Sequence, residues 1–329
     1  VGQPLGADAA SIRLGAARLY YLDVTPDFYR IPYIVAYVLD PGPQAPLVLV
    51  DPGPRNPAAE RLRGLLEALG APRREAVAYV THVHIDHAGS LGSLARSLGG
   101  SLARVYAHPR GAPHLADPRR LWSASRAYLG WIAEGYGAPE PLPGEAVKAT
   151  ADGEARSYGP VRVTVLHTPG HASHHQSIAA RIAGGGDPLV LFPGDSAGMA
   201  HPAADAVAPT TPPPFKLDMY LDSLRRQIAL HPSLVAYTHT GPAAPSCLER
   251  HLAQVERWRN YFQELGPRVC EDAGLEEHLE SLRARDEELD RFITYAASKS
   301  KALLAALLHS VDGFLDYHRR LAGCGEARR

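Results

Sequence analysis

Positions 77–90 read VAYVTHVHIDHAGS, and four side chains able to hold a metal, His82, His84, Asp86 and His87, fall within six residues of one another. A run of branched and apolar residues leads into them, and a helix-forming stretch follows. On a strand, residues two apart project to the same side, whereas on a helix they stand about 200° apart. The spacing of His82 and His84 therefore asks for a strand that runs into a loop. Asp86 and His87 then fall on the turn that opens a helix over residues 88–98, close enough to address a second metal beside the first. Imidazole and carboxylate at this density are the donor set of a borderline metal ion.

Composition narrows the partners. A chain of 329 residues can bury a sizeable core and has room for one large domain with an appendage. Its net charge of −1 announces neither nucleic acid nor an anionic membrane. Lysine occurs only at Lys148, Lys216, Lys299 and Lys301, so arginine supplies most of the positive charge. The cysteines Cys247, Cys270 and Cys324 are odd in number, far apart and absent from the metal motif. Neither a disulfide framework nor a cysteine-ligated zinc is expected from them. No basic stretch with a following apolar run opens the sequence, and nowhere do about 18 apolar residues run uninterrupted. The expectation is a cytoplasmic protein without a signal peptide or membrane span.

Along the chain, residues 11–22, 33–39 and 47–50 are rich in branched and aromatic side chains and predict antiparallel strands. The third ends at Asp51, a carboxylate that either holds a neighbouring functional group or satisfies its own turn. Residues 56–69 predict an amphipathic helix capped by Asn56 and stopped at Gly70. Further strands are expected over 76–80 and 103–107. Residues 109–150 form a connection too long for a compact domain without a purpose, helical over about 118–136. Its Trp122, Tyr128, Trp131 and Tyr136 either wall an apolar pocket or anchor the helix. Strands follow at 161–166, 188–192 and 234–237, with a proline-rich loop over 201–214, too polar for the core, and a helix over 216–230. The tail beyond 243 carries amphipathic helical stretches at 248–265, 275–295 and 301–321. His108 and His167 read as structural, and His231, on a helix-to-strand turn before a proline, is a weaker ligand candidate than His239. His174 and His175 are open between supporting a site and ordinary packing.

The H-x-H-x-D-H pattern followed by Ala-Gly resembles the metallo-β-lactamase superfamily, and in particular its glyoxalase II-like hydrolase branch. The HTPGH string at 167–171 and the PGDS string at 193–196 add to the likeness, which covers about residues 10–242. The resemblance implies an α/β fold, a four-layered αβ/βα sandwich whose ligands sit on loops at one edge of two sheets, with a C-terminal helical extension. It divides the chain into a catalytic domain over 1–243, with 109–150 as a lid-like insertion, and an extension over 244–329 similar to the helical or winged-helix-like tails of some members. It assigns His82, His84 and His171 to one metal, Asp86, His87 and His239 to another, and Asp195 as the carboxylate between them.

Two divalent ions are implied, zinc by default, with iron and manganese suited to the same donors. The expected chemistry is hydrolysis of a small ester-like substrate, a thioester or lactone, by a hydroxide bridging the metals, with Asp86 and Asp195 as the catalytic carboxylates. Histidine at 84, where flavodiiron oxygen reductases have glutamate, argues against that branch. A mononuclear iron persulfide dioxygenase and a metal-dependent nuclease are the alternatives; the second predicts a basic face. The arginine and lysine positions that bind glutathione in glyoxalase II have no match in the tail. The expected partners are a small molecule and a second copy of the chain in a homodimer, with no membrane and no strong signal for nucleic acid.

Overall fold

The computed structural model describes residues 9–271 and 274–324. In its first half the chain forms strands β1 (Ala10–Leu14), β2 (Ala17–Asp23), β3 (Val35–Asp40) and β4 (Leu47–Val50), then helix α1 (Ala58–Ala68) and strand β5 (Ala76–Tyr79). Short helices α2 (Ile85–Ala88) and α3 (Leu91–Ser97) lead to β6 (Leu102–Ala107), and helices α4 (Ala112–Ala116), α5 (Arg119–Leu129) and α6 (Trp131–Tyr136) lead to β7 (Val147–Ala149). The second half forms β8 (Ala155–Tyr158), β9 (Val161–His167), β10 (Gln176–Ile182), β11 (Leu189–Phe192), a hairpin of β12 (Met199–His201) and β13 (Ala206–Ala208), helix α7 (Leu217–Ile228), β14 (Leu234–Tyr237) and β15 (Gly241–Ala243). Four longer helices close the chain: α8 (Ser246–Leu265), α9 (Leu275–Arg283), α10 (Glu287–Tyr295) and α11 (Lys301–Leu321).

Strands β1 to β7 make one sheet in sequence order, and the second sheet has the order β15-β14-β11-β10-β9-β8. Strands β4, β5 and β11 are buried at every position, which is why their sequences are apolar throughout rather than alternating. Val48, Val50 and Tyr79 from the first sheet meet Val163, Ile178, Val190 and Phe192 from the second. The opposite faces of both sheets are covered by helices, Leu62, Leu65 and Leu66 of α1 on one side and Leu221 and Leu224 of α7 on the other. The result is a four-layered α/β sandwich with C-terminal helices packed into the second helical layer.

The pairing directions decide where functional side chains emerge. Strand β4 is parallel to β5, β11 is parallel to β14, and β9 and β11 are both antiparallel to β10. The carboxyl ends of these strands therefore leave each sheet along one edge, as in other sheets that bind ligands outside their strand ends. The two edges are joined directly: Gln176 N donates to Thr81 O at 2.7 Å and Val35 N to Thr238 O at 2.8 Å.

Several expectations are corrected. The stretch 11–22 is a hairpin of two strands turning at Gly15, and the helix expected over 88–98 is α3 alone, with Asp86 and His87 on the separate short helix α2. Asn56 does not cap α1, whose N-cap is Pro57 without a side-chain hydrogen bond. The helix over 118–136 breaks at Gly130, which has a φ of 56°. Part of the loop 201–214 is core: Ala206, Val207 and Ala208 are buried in β13, because the apolar run there outweighs its prolines. The cysteines also differ from expectation. Cys270 and Cys324, 54 residues apart in sequence, form a disulfide because α11 folds back over the end of α8, while Cys247 is buried and unpaired. Such a bridge is uncommon in a thiol-reducing cytosol, and closing a loop of this length stabilises a fold by about 4 kcal/mol in the chain-entropy account. Among the described residues no helix is long and apolar enough to cross a membrane.

The tail is organised around one buried carboxylate. Asp286 caps α10 through Glu288 N and accepts hydrogen bonds at 2.9 Å from Gln254 Nε2, Trp258 Nε1 and Arg257 Nη2. Removing it would leave the Trp258 donor buried without a partner, Gln254 Nε2 with only its bond to Val207 O, and the Arg257 charge unmatched. Asp286→Ala is expected to lower the unfolding free energy by about 3 kcal/mol, read from the midpoint and slope of urea denaturation.

Candidate metal centre

Seven side chains meet at the shared edge of the sheets. Beyond β5 the chain continues as an extended loop, and this places His82 Nε2 at 2.9 Å from His84 Nδ1. The loop after β9 brings His171 Nε2 to 3.2 Å from the same His84 nitrogen. A second group forms around Asp86, whose Oδ2 lies 3.9 Å from His87 Nε2 and 3.6 Å from His239 Nε2. Asp195, beyond β11, stands between the groups. Its Oδ1 is 3.2 Å from His87 Nε2 and 3.4 Å from His239 Nε2, and its Oδ2 is 3.6 Å from His171 Nε2. The sets His82–His84–His171, His82–His87–Asp195 and Asp86–His87–His239 each have donor atoms close enough to share an ion. All seven residues singled out in the sequence are thus brought together.

Hydrogen bonds on the far side of the rings fix which nitrogen faces inward. His171 Nδ1 donates to Thr210 O at 2.7 Å, and His87 Nδ1 donates to Asp51 Oδ2 at 2.8 Å, so both Nε2 atoms point into the site. Thr81 Oγ1 donates to Asp51 Oδ2 at 2.7 Å and lies 3.1 Å from His82 Nδ1, which fixes His82 in the same sense. Partners of this kind orient metal-binding histidines and set their tautomer. Asp51 therefore holds a functional group rather than its own turn: it also accepts from Thr81 N and Thr238 Oγ1, at 2.7 Å each.

The electrostatics match this arrangement. Burial, followed by neighbouring imidazoles, holds His82 and His84 well below the usual histidine range, so both keep a free lone pair at neutral pH. Burial likewise lowers His171, and Asp195 opposes it only in part. For His87, burial also favours the neutral ring, but Asp195, Asp51 and Asp86 together raise it well above the usual value. Burial would raise Asp195, yet His239, His87 and His171 keep it well below the carboxylate range. Three carboxylates gathered in so little water demand positive charge. His87 Nε2 and Asp195 Oδ1 lie within contact distance, yet neither makes a hydrogen bond. Two inward-facing atoms left in this way fit a shared cation, and the donor set of imidazoles and carboxylates suits a divalent one.

Other residues fall outside the cluster or support it. His108 and His167 pack against each other with rings tilted by 47° and centres 4.2 Å apart, and His231 is exposed. His175 is a supporting residue: its Nε2 accepts from Asp195 N at 3.1 Å, while its Nδ1 meets Thr168 Oγ1 at 2.9 Å. Gly194 enables that turn, since a Cβ there would collide with His175 and Thr81 at a φ of 56°. Thr81, Thr210 and Thr238 were not singled out by sequence reasoning; only their position beside ligand candidates or strand ends hinted at them. Tyr33 was also missed. It arrives from a loop distant in sequence and stacks on His239 with ring centres 4.4 Å apart.

A cleft of about 370 Å³ opens over the cluster, lined by Tyr29, Tyr33 and Tyr136 beside Asp86 and His239. Of the aromatics in the 109–150 connection, Tyr128 and Tyr136 line the cleft, whereas exposed Trp131 packs edge-on to Phe28.

A four-layered α/β sandwich with a histidine- and aspartate-rich edge defines a class of metal-binding folds. Residues 32–239 match the sequence model of the metallo-beta-lactamase superfamily, and the chain belongs to that superfamily. The metallo-beta-lactamase fold-containing protein ST1585 of Sulfurisphaera tokodaii is 35% identical over 180 residues, a match covering 54% of this chain and 64% of that protein. The protein Rv2581c of Mycobacterium tuberculosis is 29% identical over 160 residues, covering 49% of this chain and 66% of that one. The matches thus span just under two thirds of these relatives' lengths. The crystal structure of ST1585, from Sulfolobus tokodaii, superposes with a TM-score of 0.59 at 29% identity over 72% of this chain and 85% of that chain. The metallo-beta-lactamase family protein TTHA1429 from Thermus thermophilus shares the fold over 93% of this chain and 94% of its own, at a TM-score of 0.61 and 24% identity.

Replacing Asp51 tests the orientation argument. Asp51→Ala frees the His87 ring, and metal affinity is expected to fall about 10- to 100-fold, read by competition with a chromogenic chelator.

Proposed function

We propose that the protein is a dinuclear metal-dependent hydrolase of a small, uncharged ester-like substrate, a thioester or lactone, akin to the glyoxalase II-like branch in its ligand pattern. The observation that carries this reading is the placement of Asp195, one oxygen toward His87 and His239 and the other toward His171. His82, His84 and His171 would hold one ion, Asp86, His87 and His239 the other, and Asp195 both. Divalent ions bound there supply Lewis acidity and a water whose pKa falls to about 7. Zinc is the default for these donors, with iron or manganese compatible.

The remaining work belongs to the chain. Tyr29 and Tyr136 hydrogen-bond through their hydroxyls, and burial raises both phenols far above neutrality. Within the pair one hydroxyl donates to the other, which leaves one O–H for a substrate oxygen in the cleft. Tyr33 fixes the His239 ring by stacking, and burial keeps its hydroxyl protonated as well. Four tail arginines that a basic face for nucleic acid would use are instead matched by acids. Arg250 pairs with Asp205 and Glu288, Arg257 with Asp286, Arg283 with Asp290 and Arg285 with Glu264. The largely apolar cleft beneath residues 120–136 suits a neutral organic substrate better than a polyanion.

Elemental analysis of protein purified without chelator is expected to give about two divalent ions per chain, together with turnover of a generic thioester or lactone. Asp195→Ala should abolish turnover while the far-ultraviolet circular dichroism is unchanged. One iron per chain without hydrolysis, or full activity in Asp195→Ala, would overturn the reading.

A further inference from the structure

We propose that the cleft over the metal centre binds a saturated hydrocarbon chain, the acyl or alkyl part of the substrate, and that α11 of the C-terminal tail determines how long that chain can be. What is cleaved rests on the hydrolase reading above; what is bound does not.

The cleft draws its walls from three separate parts of the sequence. Leu121, Ala124, Leu129 and Ile132 come from α5 and α6, Pro212 and Pro213 from the loop after β13, and Ala302 and Ala306 from α11. Among the described residues, apart from Asp86 and Asp195, the only lining residue with a full charge is Arg120, which is exposed to solvent. The polar groups on the tail side are already committed or neutral. Ser310 Oγ donates to Pro209 O at 2.9 Å and accepts from Thr211 N at 3.2 Å. His309 is kept neutral by burial and faces the ring of Tyr128 with centres 4.5 Å apart, so α5 and α11 meet there. A carboxylate, phosphate or peptide-like substrate would find no paired cations and few free donors away from the metal end. A hydrocarbon needs none.

Helix α5 has no buried residue along its length, although its Leu121 and Leu129 face the cleft. Its Leu121, Trp122 and Leu129 pack against the core on one side only and stay half-buried, and a chain lying in the cleft would complete their contacts. Across from it, Ala302 and Ala306 are four apart and share one face of α11, while Leu303 and Leu307 turn into the tail core. Apart from His309, the α11 residues that border the cleft, Ala302, Ala306 and Ser310, are small. The helix is held close by Gly313, where any Cβ would overlap the Thr211 carbonyl, and by Thr211 Oγ1 donating to Ser310 O at 3.1 Å. The wall is therefore fixed in position, and the side chains at 302 and 306 set the depth.

The test uses the full-length protein as purified and a series of 4-nitrophenyl esters from acetyl to decanoyl. The ratio kcat/KM is expected to rise about fourfold per methylene, equivalent to about 0.8 kcal/mol, and then to level off where the chain meets α11. Ala306→Phe should move that limit to shorter chains and lower the octanoyl-to-acetyl ratio at least tenfold. Leu304→Ala, on the exposed side of the same helix, should not alter the ratio. Should Ala306→Phe fail to fold, Ala124→Leu on solvent-exposed α5 tests the opposite wall with the same ratio. Calorimetric titration with octanamide and with acetamide reads binding without turnover: octanamide should bind, acetamide should not, and Ala306→Phe should weaken octanamide at least tenfold. Octanamide binding without ester turnover would support the chain site while sinking the hydrolase. Ester turnover with a flat length profile, or equal binding of the two amides, would overturn the chain site and leave the hydrolase standing.

Discussion

The carboxylate of Asp51 fastens the two halves of this molecule to its chemistry. It leaves β4 of the first sheet and accepts hydrogen bonds from Thr81 and His87 beyond β5 and from Thr238 at the end of β14 in the second. A fully buried carboxylate is tolerable only with such a complement of donors, each charge-assisted bond contributing about 1.5–3 kcal/mol. The same bonds that satisfy Asp51 also position a ligand candidate and pin the sheets edge to edge. Site geometry and sandwich packing are therefore one constraint, and a fold without that edge would leave the carboxylate stranded.

From Asp195 a second polar line runs outward into the tail. Its backbone carbonyl accepts from Tyr220 Oη at 3.2 Å, Tyr220 Oη meets His251 Nε2 at 2.8 Å, and His251 Nδ1 lies 3.2 Å from Gln254 Oε1. Gln254 in turn donates to Asp286, the carboxylate that organises α8 and α10. Every member is buried, so each must be paired, and the pairing leaves little freedom for the tail to sit elsewhere. The extension is thus bound to the loop carrying Asp195 by hydrogen bonds as well as by the shared apolar core containing Leu221, Leu248, Trp258 and Phe314.

Much of this was legible in the sequence, and what was legible follows from local rules. Continuous apolar runs bounded by turn residues located the buried strands β4, β5, β11 and β14, and the density of histidine at 82–87 announced the site before any topology was known. The later ligand candidates His171, Asp195 and His239 are isolated residues at strand ends, and they became readable only through the family's motif strings. Short edge strands such as β7, β8 and β15 escaped notice because their sequences, VKA, ARSY and GPA, hold no apolar run. Tertiary relations were hidden for a different reason. Nothing local ties Tyr33 to His239, Thr210 to His171 or Cys270 to Cys324; each pair depends on how segments between 39 and 206 residues apart come together. The proline-rich stretch was misread because composition spoke for a loop while three small apolar residues, Ala206, Val207 and Ala208, were enough to form a buried strand.

The tail makes the same point about function. Its helices carry no motif, and their amphipathic faces are those of any packed bundle. What gives α11 a place in the site is the position in which the Thr211–Ser310 bonds hold it, with two alanines toward the cleft and leucines toward the core. An edge of metal-ligating residues can polarise a carbonyl wherever that edge is built, but it cannot choose among carbonyl compounds. That choice falls to the walls above it, and here they come from the helical connection before β7 and a helix beyond β15, the two regions lying outside the strands that build the edge. Selectivity in such a molecule is free to change by substitutions on α5 and α11 that leave the hydrogen bonds of Asp51 and Asp195 untouched.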